Sequence, residues 1–151
     1  MKRIWAAAFS FVALVAAEPV TAAAVEQIEA RLFLAHTGTF SEPVPKGATL
    51  WNTIIGEAGL REPSSATLVK ILVSGDPKSY DAKAKVQLTV RAKTSKTRRV
   101  LAKRLSVFGS EGKQYVAFWL PETGCDELVL QARVSGSEKT IKHTVPFRCG
   151  E

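Results

Sequence analysis

The side chains able to do chemistry in this chain are few, and one kind dominates. Nine lysines and arginines fall between Lys83 and Arg104, and no acid occurs from Ala82 to Ser110. They are Lys83, Lys85, Arg91, Lys93, Lys96, Arg98, Arg99, Lys103 and Arg104. Clustered cations draw polyanions from a distance and hold them by releasing counterions, so this run offers anion binding with a steep dependence on salt. The candidate anion-binding residues are Lys83, Lys85, Arg91, Lys93, Arg98, Arg99, Lys103 and Arg104. An anionic glycan, lipopolysaccharide, lipid headgroups or an acidic protein would suit them, with nucleic acid the weaker candidate. A plainer role competes: an outward strand face must be polar, and charge on both faces of an edge strand stops other chains pairing with it.

Catalytic chemistry has little to work with. The histidines are His36 and His143, the second set among apolar positions of a strand pattern where a hydrogen-bonded core residue is the ordinary reading. The acids are scattered, and adjacent Asp126 and Glu127 would point to opposite faces of a strand, a poor geometry for a carboxylate pair. No nucleophile elbow, zinc-helix, phosphate-loop or calcium-loop motif occurs. The expectation is no catalytic residue, no metal and no cofactor. Two further readings stay open: a small exported hydrolase or enzyme accessory with a histidine site assembled by folding, and an inhibitor or chaperone-like protein acting through a strand edge.

Cys125 and Cys149 lack the short spacing of a metal site or a Cys-x-x-Cys redox pair. In an oxidising compartment such a pair reads as a disulfide, worth about 3 kcal/mol through the entropy of the closed loop. The N-terminus supplies that compartment. Met1-Lys2-Arg3 precedes an apolar run from Ile4 to Ala17, Glu18-Pro19 breaks it, and Ala22 and Ala24 suit a cut before Val25. A cut after Ala17 is the alternative. The run is shorter than the roughly 20 residues that cross a bilayer, so the mature chain is expected to be soluble, without a membrane span, and periplasmic or secreted. Residues 1–24 form the signal, and 25–151 are long enough for one domain with its own core. Losing Lys2, Arg3 and Glu18 takes the net charge from +7 to +6. Beyond residue 24, everything outside the basic run carries ten basic and thirteen acidic residues.

The elements that must position these groups read as strands. Seven β-rich runs are separated by Gly, Pro and Ser clusters: Glu29–His36, Ala66–Ser74, Lys83–Lys93, Val100–Phe108, Gln114–Leu120, Glu127–Val134 and Thr140–Phe147. Lys83–Lys93 alternates cleanly, with Ala84, Val86, Leu88, Val90 and Ala92 on one face and Lys85, Gln87, Thr89, Arg91 and Lys93 on the other. In Val100–Phe108 the residues Leu101, Leu105 and Val107 share parity with Lys103, which predicts a bulge near Ala102–Arg104 in an edge strand. Leu50, Trp51, Ile54 and Ile55 predict one amphipathic turn plugging an end, anchored by Trp51. Tyr115 and Trp119 share a face that, if open, would set rings beside the basic residues; packing under a loop or against the Lys and Arg stems of the neighbouring strand is the preferred reading.

The last two runs predict their own register. Their apolar faces both reach the core if Val134 lies opposite Lys139, which puts Cys125 opposite Arg148, one residue from Cys149. Seven short strands in this order resemble the immunoglobulin-like and fibronectin-type sandwiches in architecture, without the inter-sheet cysteine pair and intervening Trp of true immunoglobulin domains. The expected molecule is therefore all-β: an exported, non-catalytic antiparallel sandwich of about seven strands, a binding or structural module of the bacterial envelope or exterior.

Overall fold

The computed structural model describes residues 22–57 and 59–150. The export signal read over residues 1–24 lies outside them, apart from Ala22, Ala23 and Ala24. The fold is all-β. In chain order the strands are β1 (Ala24–Leu34), β2 (Thr39–Phe40), β3 (Leu50–Trp51), β4 (Ala66–Ser74), β5 (Lys85–Ala92), β6 (Arg98–Arg104), β7 (Lys113–Pro121), β8 (Leu128–Val134), β9 (Thr140–Val145) and β10 (Phe147–Arg148). Seven of them match the seven β-rich runs. The other three are two-residue pieces too short to leave a periodic signal.

Two antiparallel four-stranded sheets form, ordered β2-β1-β4-β7 and β6-β5-β8-β9, while β3 and β10 pair in parallel. Alternation explains which faces meet. Val69, Ile71 and Val73 of β4, Val86 and Leu88 of β5 and Leu130 and Ala132 of β8 are fully buried and share one core cluster. Each buried Val, Leu or Ile contributes roughly 1.5–3 kcal/mol, so the two inner faces stabilise the fold between them. On the outer side of β4, Lys70 reaches Glu29 of β1 at 3.4 Å.

The terminal hairpin has the register its apolar faces predict. Leu128 lies opposite Val145, Leu130 opposite His143 and Ala132 opposite Ile141. Continued outward, this brings the Cys125 and Cys149 Cα atoms to 4.8 Å, and the two are disulfide-bonded. Among the described residues no helix is long and apolar enough to cross a membrane.

Three expectations need correction. First, β6 runs Arg98–Arg104 in unbroken register with β5, so there is no bulge at Ala102–Arg104. Lys103 itself points inward at the sheet edge, which restores the alternation, and Leu105 is buried just past the strand. The irregularity falls instead between Val25 and Gln27 of β1, which starts earlier than Glu29. Second, the Thr49–Gly56 turn is a 3-10 turn over Thr53–Ile55, and its apolar face is not the buried one. Leu50 is buried, but Trp51 and Ile54 are each 44% exposed, and Thr53 fills the interior with its hydroxyl donating to the Gly124 carbonyl. One turn offers too little apolar surface to seal a sandwich end, whereas a β-strand pair with β10 fixes Leu50 there. Third, β7 belongs to the sheet opposite the basic strands, so the open-face alternative for Tyr115 and Trp119 fails, while the preferred packing against a neighbouring strand holds, with Tyr115 under Lys70 of β4.

Candidate anion-binding face

The sheet order decides which cations meet. Outward positions of β5 are Lys85, Gln87, Thr89 and Arg91, since Val86, Leu88 and Val90 face the core. Register then sets Arg104 opposite Lys85, Ala102 opposite Gln87, Val100 opposite Thr89 and Arg98 opposite Arg91. On the other flank Arg133 lies opposite Gln87 and Gln131 opposite Thr89, and β9 adds Thr140 beside Arg133 and Lys142 beside Gln131. One outer face thus carries Lys85, Arg91, Arg98 and Arg104 of the predicted set, together with Arg133 and Lys142, which the sequence reading missed. They lie far along the chain from the basic run, and only the β5–β8 and β8–β9 pairings bring them in.

The remaining predicted residues go elsewhere. Arg99 and Lys103 have inward parity on β6, opposite Val90 and Val86. The Lys103 Nζ sits 5.5 Å from the Phe118 ring centroid on β7, a cation–π contact at the open side of the sandwich. Lys83 precedes β5 in a loop where its N–H donates to Asp81 Oδ1 at 2.8 Å. Lys93 follows β5, with its Nζ 3.3 Å from Glu127 Oε1. Lys96, part of the basic run but not of the predicted set, occupies the hairpin tip with φ 54°.

Electrostatically the face is one-sided. Among the described residues none of Lys85, Arg91, Arg98, Arg104, Arg133 or Lys142 forms an ion pair; the five ion pairs all lie elsewhere. Two cation pairs, Lys85 with Arg104 and Arg91 with Arg98, lie directly across neighbouring strands. Like charges so opposed destabilise a sheet by roughly 0.2–1 kcal/mol per pair. Between them lies a shallow depression of about 450 Å³ floored by Gln87, Thr89 and Gln131. Arg133 Nε donates to Gln87 Oε1 at 3.0 Å, which fixes one guanidinium over that floor.

The hairpin carrying the cations is itself held by an acid. Asp126 accepts the N–H of Thr94 through Oδ1 at 2.7 Å and the N–H of Ser95 through Oδ2 at 2.8 Å. Partial desolvation alone would raise its pKa, but the backbone and hydroxyl donors of Ser95 and Thr94 outweigh that and hold it at about 2. Asp126 therefore spends its charge on the β5–β6 turn, while Glu127 goes to Lys93. Neither is a free carboxylate.

Among the described residues neither histidine ring hydrogen-bonds a carboxylate. His36 is exposed at a turn, and its backbone N–H, like that of Thr37, donates to Glu62 Oε2. His143 is 7% exposed, and burial first, then the nearby Lys46 charge, pushes its pKa down. Its Nε2 is buried and makes no hydrogen bond among the described residues. His143 lines a separate depression beside β1, whose wall also includes Glu26 and Glu29. Lys139 and Ser74 hold Glu26 ionised, and Arg31 leads the groups that do so for Glu29. Among the described residues no group of three or more His, Cys, Asp or Glu side chains is placed to hold a metal ion.

The aromatic residues form their own cluster on the far sheet. Trp119 of β7 packs edge-on against Phe33 of β1 at 5.3 Å, and Phe40 of β2 packs against Phe33 at 5.7 Å. Tyr115 lies under Lys70 Nζ at 4.9 Å. No protein-family model matches this sequence, and no curated protein matches it.

Proposed function

We propose that this chain is an exported, non-catalytic binding module of the bacterial envelope or exterior, whose β6-β5-β8-β9 face holds anionic polymers or lipid headgroups. The observation that carries this is the pair of like-charge oppositions, Lys85 with Arg104 and Arg91 with Arg98, on a face with Arg133 and Lys142 and, among the described residues, no competing ion pair. Solvation alone calls for polar residues, and edge protection calls for charge on β6; neither calls for cations on β5, β8 and β9 as well. An anion lying across the strands would turn two repulsions into shared attractions. The sandwich reads as immunoglobulin-like of the fibronectin kind, supported by β6 standing beside β5, β8 and β9 across from β1, β4 and β7. Export is supported by the disulfide, which suits an oxidising compartment.

Retention on immobilised heparin and on lipopolysaccharide, eluted with a salt gradient, tests the proposal. Arg98→Glu with Arg104→Glu should remove most retention, whereas Arg99→Glu with Lys103→Glu makes the same change in net charge off the face and should remove much less. Equal loss in the two double variants would mean that net charge, and not this face, is responsible. Elution independent of salt would also rule the proposal out.

A further inference from the structure

The two open edges on one side of the sandwich are built differently. β6 guards its edge with Arg98, Arg99, Lys103 and Arg104. β7 is an edge strand of nine residues, paired only with β4, and carries no charge between Lys113 and Pro121. Its register with β4 is unbroken. The Gly75 N–H donates to the Gly112 carbonyl at 2.9 Å, which sets the ladder's alternation. Gln114, Val116, Phe118 and Leu120 then bond β4, and the N–H and C=O of Tyr115, Ala117 and Trp119 point outward. Among the described residues nothing bonds them there; only Lys113, at the end, has its carbonyl taken, by the Gly109 N–H at 3.3 Å. A long, regular, uncharged edge of this kind is a template for another strand.

Chemistry beside the edge selects the strand. Arg99 and Lys103 turn inward from β6 toward β7, and Arg99 lines a cavity of about 270 Å³ with apolar Val90, Leu120 and Leu128 and with Glu122 and Asp126, the latter committed to the Thr94 and Ser95 N–H groups. A second copy of this chain fits poorly. Joining two β7 edges would bring two β6 strands, four cations on each, together in the facing sheets only about 10 Å away. We infer that the β7 edge accepts an extended segment of another protein, acidic on the face it turns toward Arg99 and Lys103 and β-branched or aromatic on the face it lays beside Tyr115 and Trp119. Backbone bonds to Tyr115, Ala117 and Trp119 supply the pairing, and alternate side chains supply the selection. This inference uses two of the cations that the outer face does not, and it stands apart from the polyanion reading.

The probes are capped nine-residue peptides alternating valine with glutamate or valine with lysine, followed by amide hydrogen exchange and Trp119 fluorescence. The glutamate peptide should bind and slow exchange at Tyr115, Ala117 and Trp119. Ala117→Pro removes an outward N–H without touching the β4 ladder, where an edge strand tolerates proline, and should abolish that binding. Arg99→Glu with Lys103→Glu should weaken the glutamate peptide roughly tenfold and favour the lysine peptide instead. Arg98→Glu with Arg104→Glu should leave the protection of Tyr115, Ala117 and Trp119 largely in place. Should Ala117→Pro fail to fold, a glutamate peptide N-methylated along its pairing edge must lose binding to the unmodified protein. Protection of Tyr115, Ala117 and Trp119 that survives either change, protection confined to β5 and β8, or dimers formed through β7 would overturn the inference.

Discussion

Replacing Arg98 by Glu should stabilise the protein while weakening its hold on polyanions. Arg98 lies directly opposite Arg91 across β5 and β6, and no carboxylate among the described residues pairs with either. Opposed residues carry their Cβ atoms about 5 Å apart, and long side chains splay so that the charges sit at roughly 7 Å. At a water-like dielectric that repulsion is about 0.6 kcal/mol, and Glu turns it into an attraction of similar size, a swing of about 1.2 kcal/mol before screening. Ionic screening leaves about 0.9 kcal/mol at 10 mM salt and roughly 0.1 kcal/mol at 1 M. For a domain of this size the low-salt gain corresponds to a Tm rise of about 3–4 °C. Thermal and urea melts at both salt concentrations, with Arg98→Gln expected to give half the effect, measure it. A variant no more stable than the parent at 10 mM salt would refute the reasoning, as would a gain that persists undiminished at 1 M. Either would mean that the arginines do not oppose one another in solution, and the strain attributed to the face would not exist.

Other consequences follow from the same contacts. Asp126→Ala should destabilise the domain by about 1 kcal/mol by uncapping Thr94 and Ser95. With its folded pKa at about 2 and the unfolded value near 3.8, the parent keeps the Asp126 contribution above pH ~4 and loses it toward pH 2, a loss the variant lacks in acid titrations. His143→Leu should flatten the stability profile on the acid side of neutrality. Its folded pKa lies below 6.5, so the parent's full stability is present above that pH and declines as pH falls, because protons prefer the unfolded chain. Cys149→Ser should lower stability by about 3 kcal/mol, given a bridge between residues 24 apart, and intact mass of the parent should show a 2 Da deficit (roughly two thiol hydrogens) that reductant removes.

Much of the scaffold is legible in the residues because one face of each strand must be apolar. The alternation of Val86, Leu88 and Val90 identifies the outward set on β5, and the paired parities of β8 and β9 fix a register that carries Cys125 to Cys149. The face itself is only half legible. Parity within β6 separates Arg98 and Arg104 from Arg99 and Lys103 only once the strand is known to start at Arg98 and to lack a bulge. Arg133 and Lys142 belong to it solely through sheet order, which local pattern does not encode. The position of Tyr115 and Trp119 is lost for a similar reason: the eight residues from Leu105 to Gly112 carry the chain across to the other sheet, and nothing in their composition distinguishes that crossing from a hairpin loop. The turn at Thr53–Ile55 misleads because apolar spacing over one turn is compatible with either exposure, and backbone pairing at Leu50 decides it.

The central claim is that one surface, and not a diffuse charge, meets the ligand. Backbone amide shifts recorded while a sulfated oligosaccharide of defined length is titrated into the protein test this most directly. The shifts should concentrate on Lys85, Gln87, Thr89 and Arg91 of β5 with Gln131 and Arg133 of β8 and Lys142 of β9, and vanish at high salt. Shifts centred on Arg99 and Lys103, on the Phe33–Trp119 sheet, or spread evenly over the molecule would contradict it.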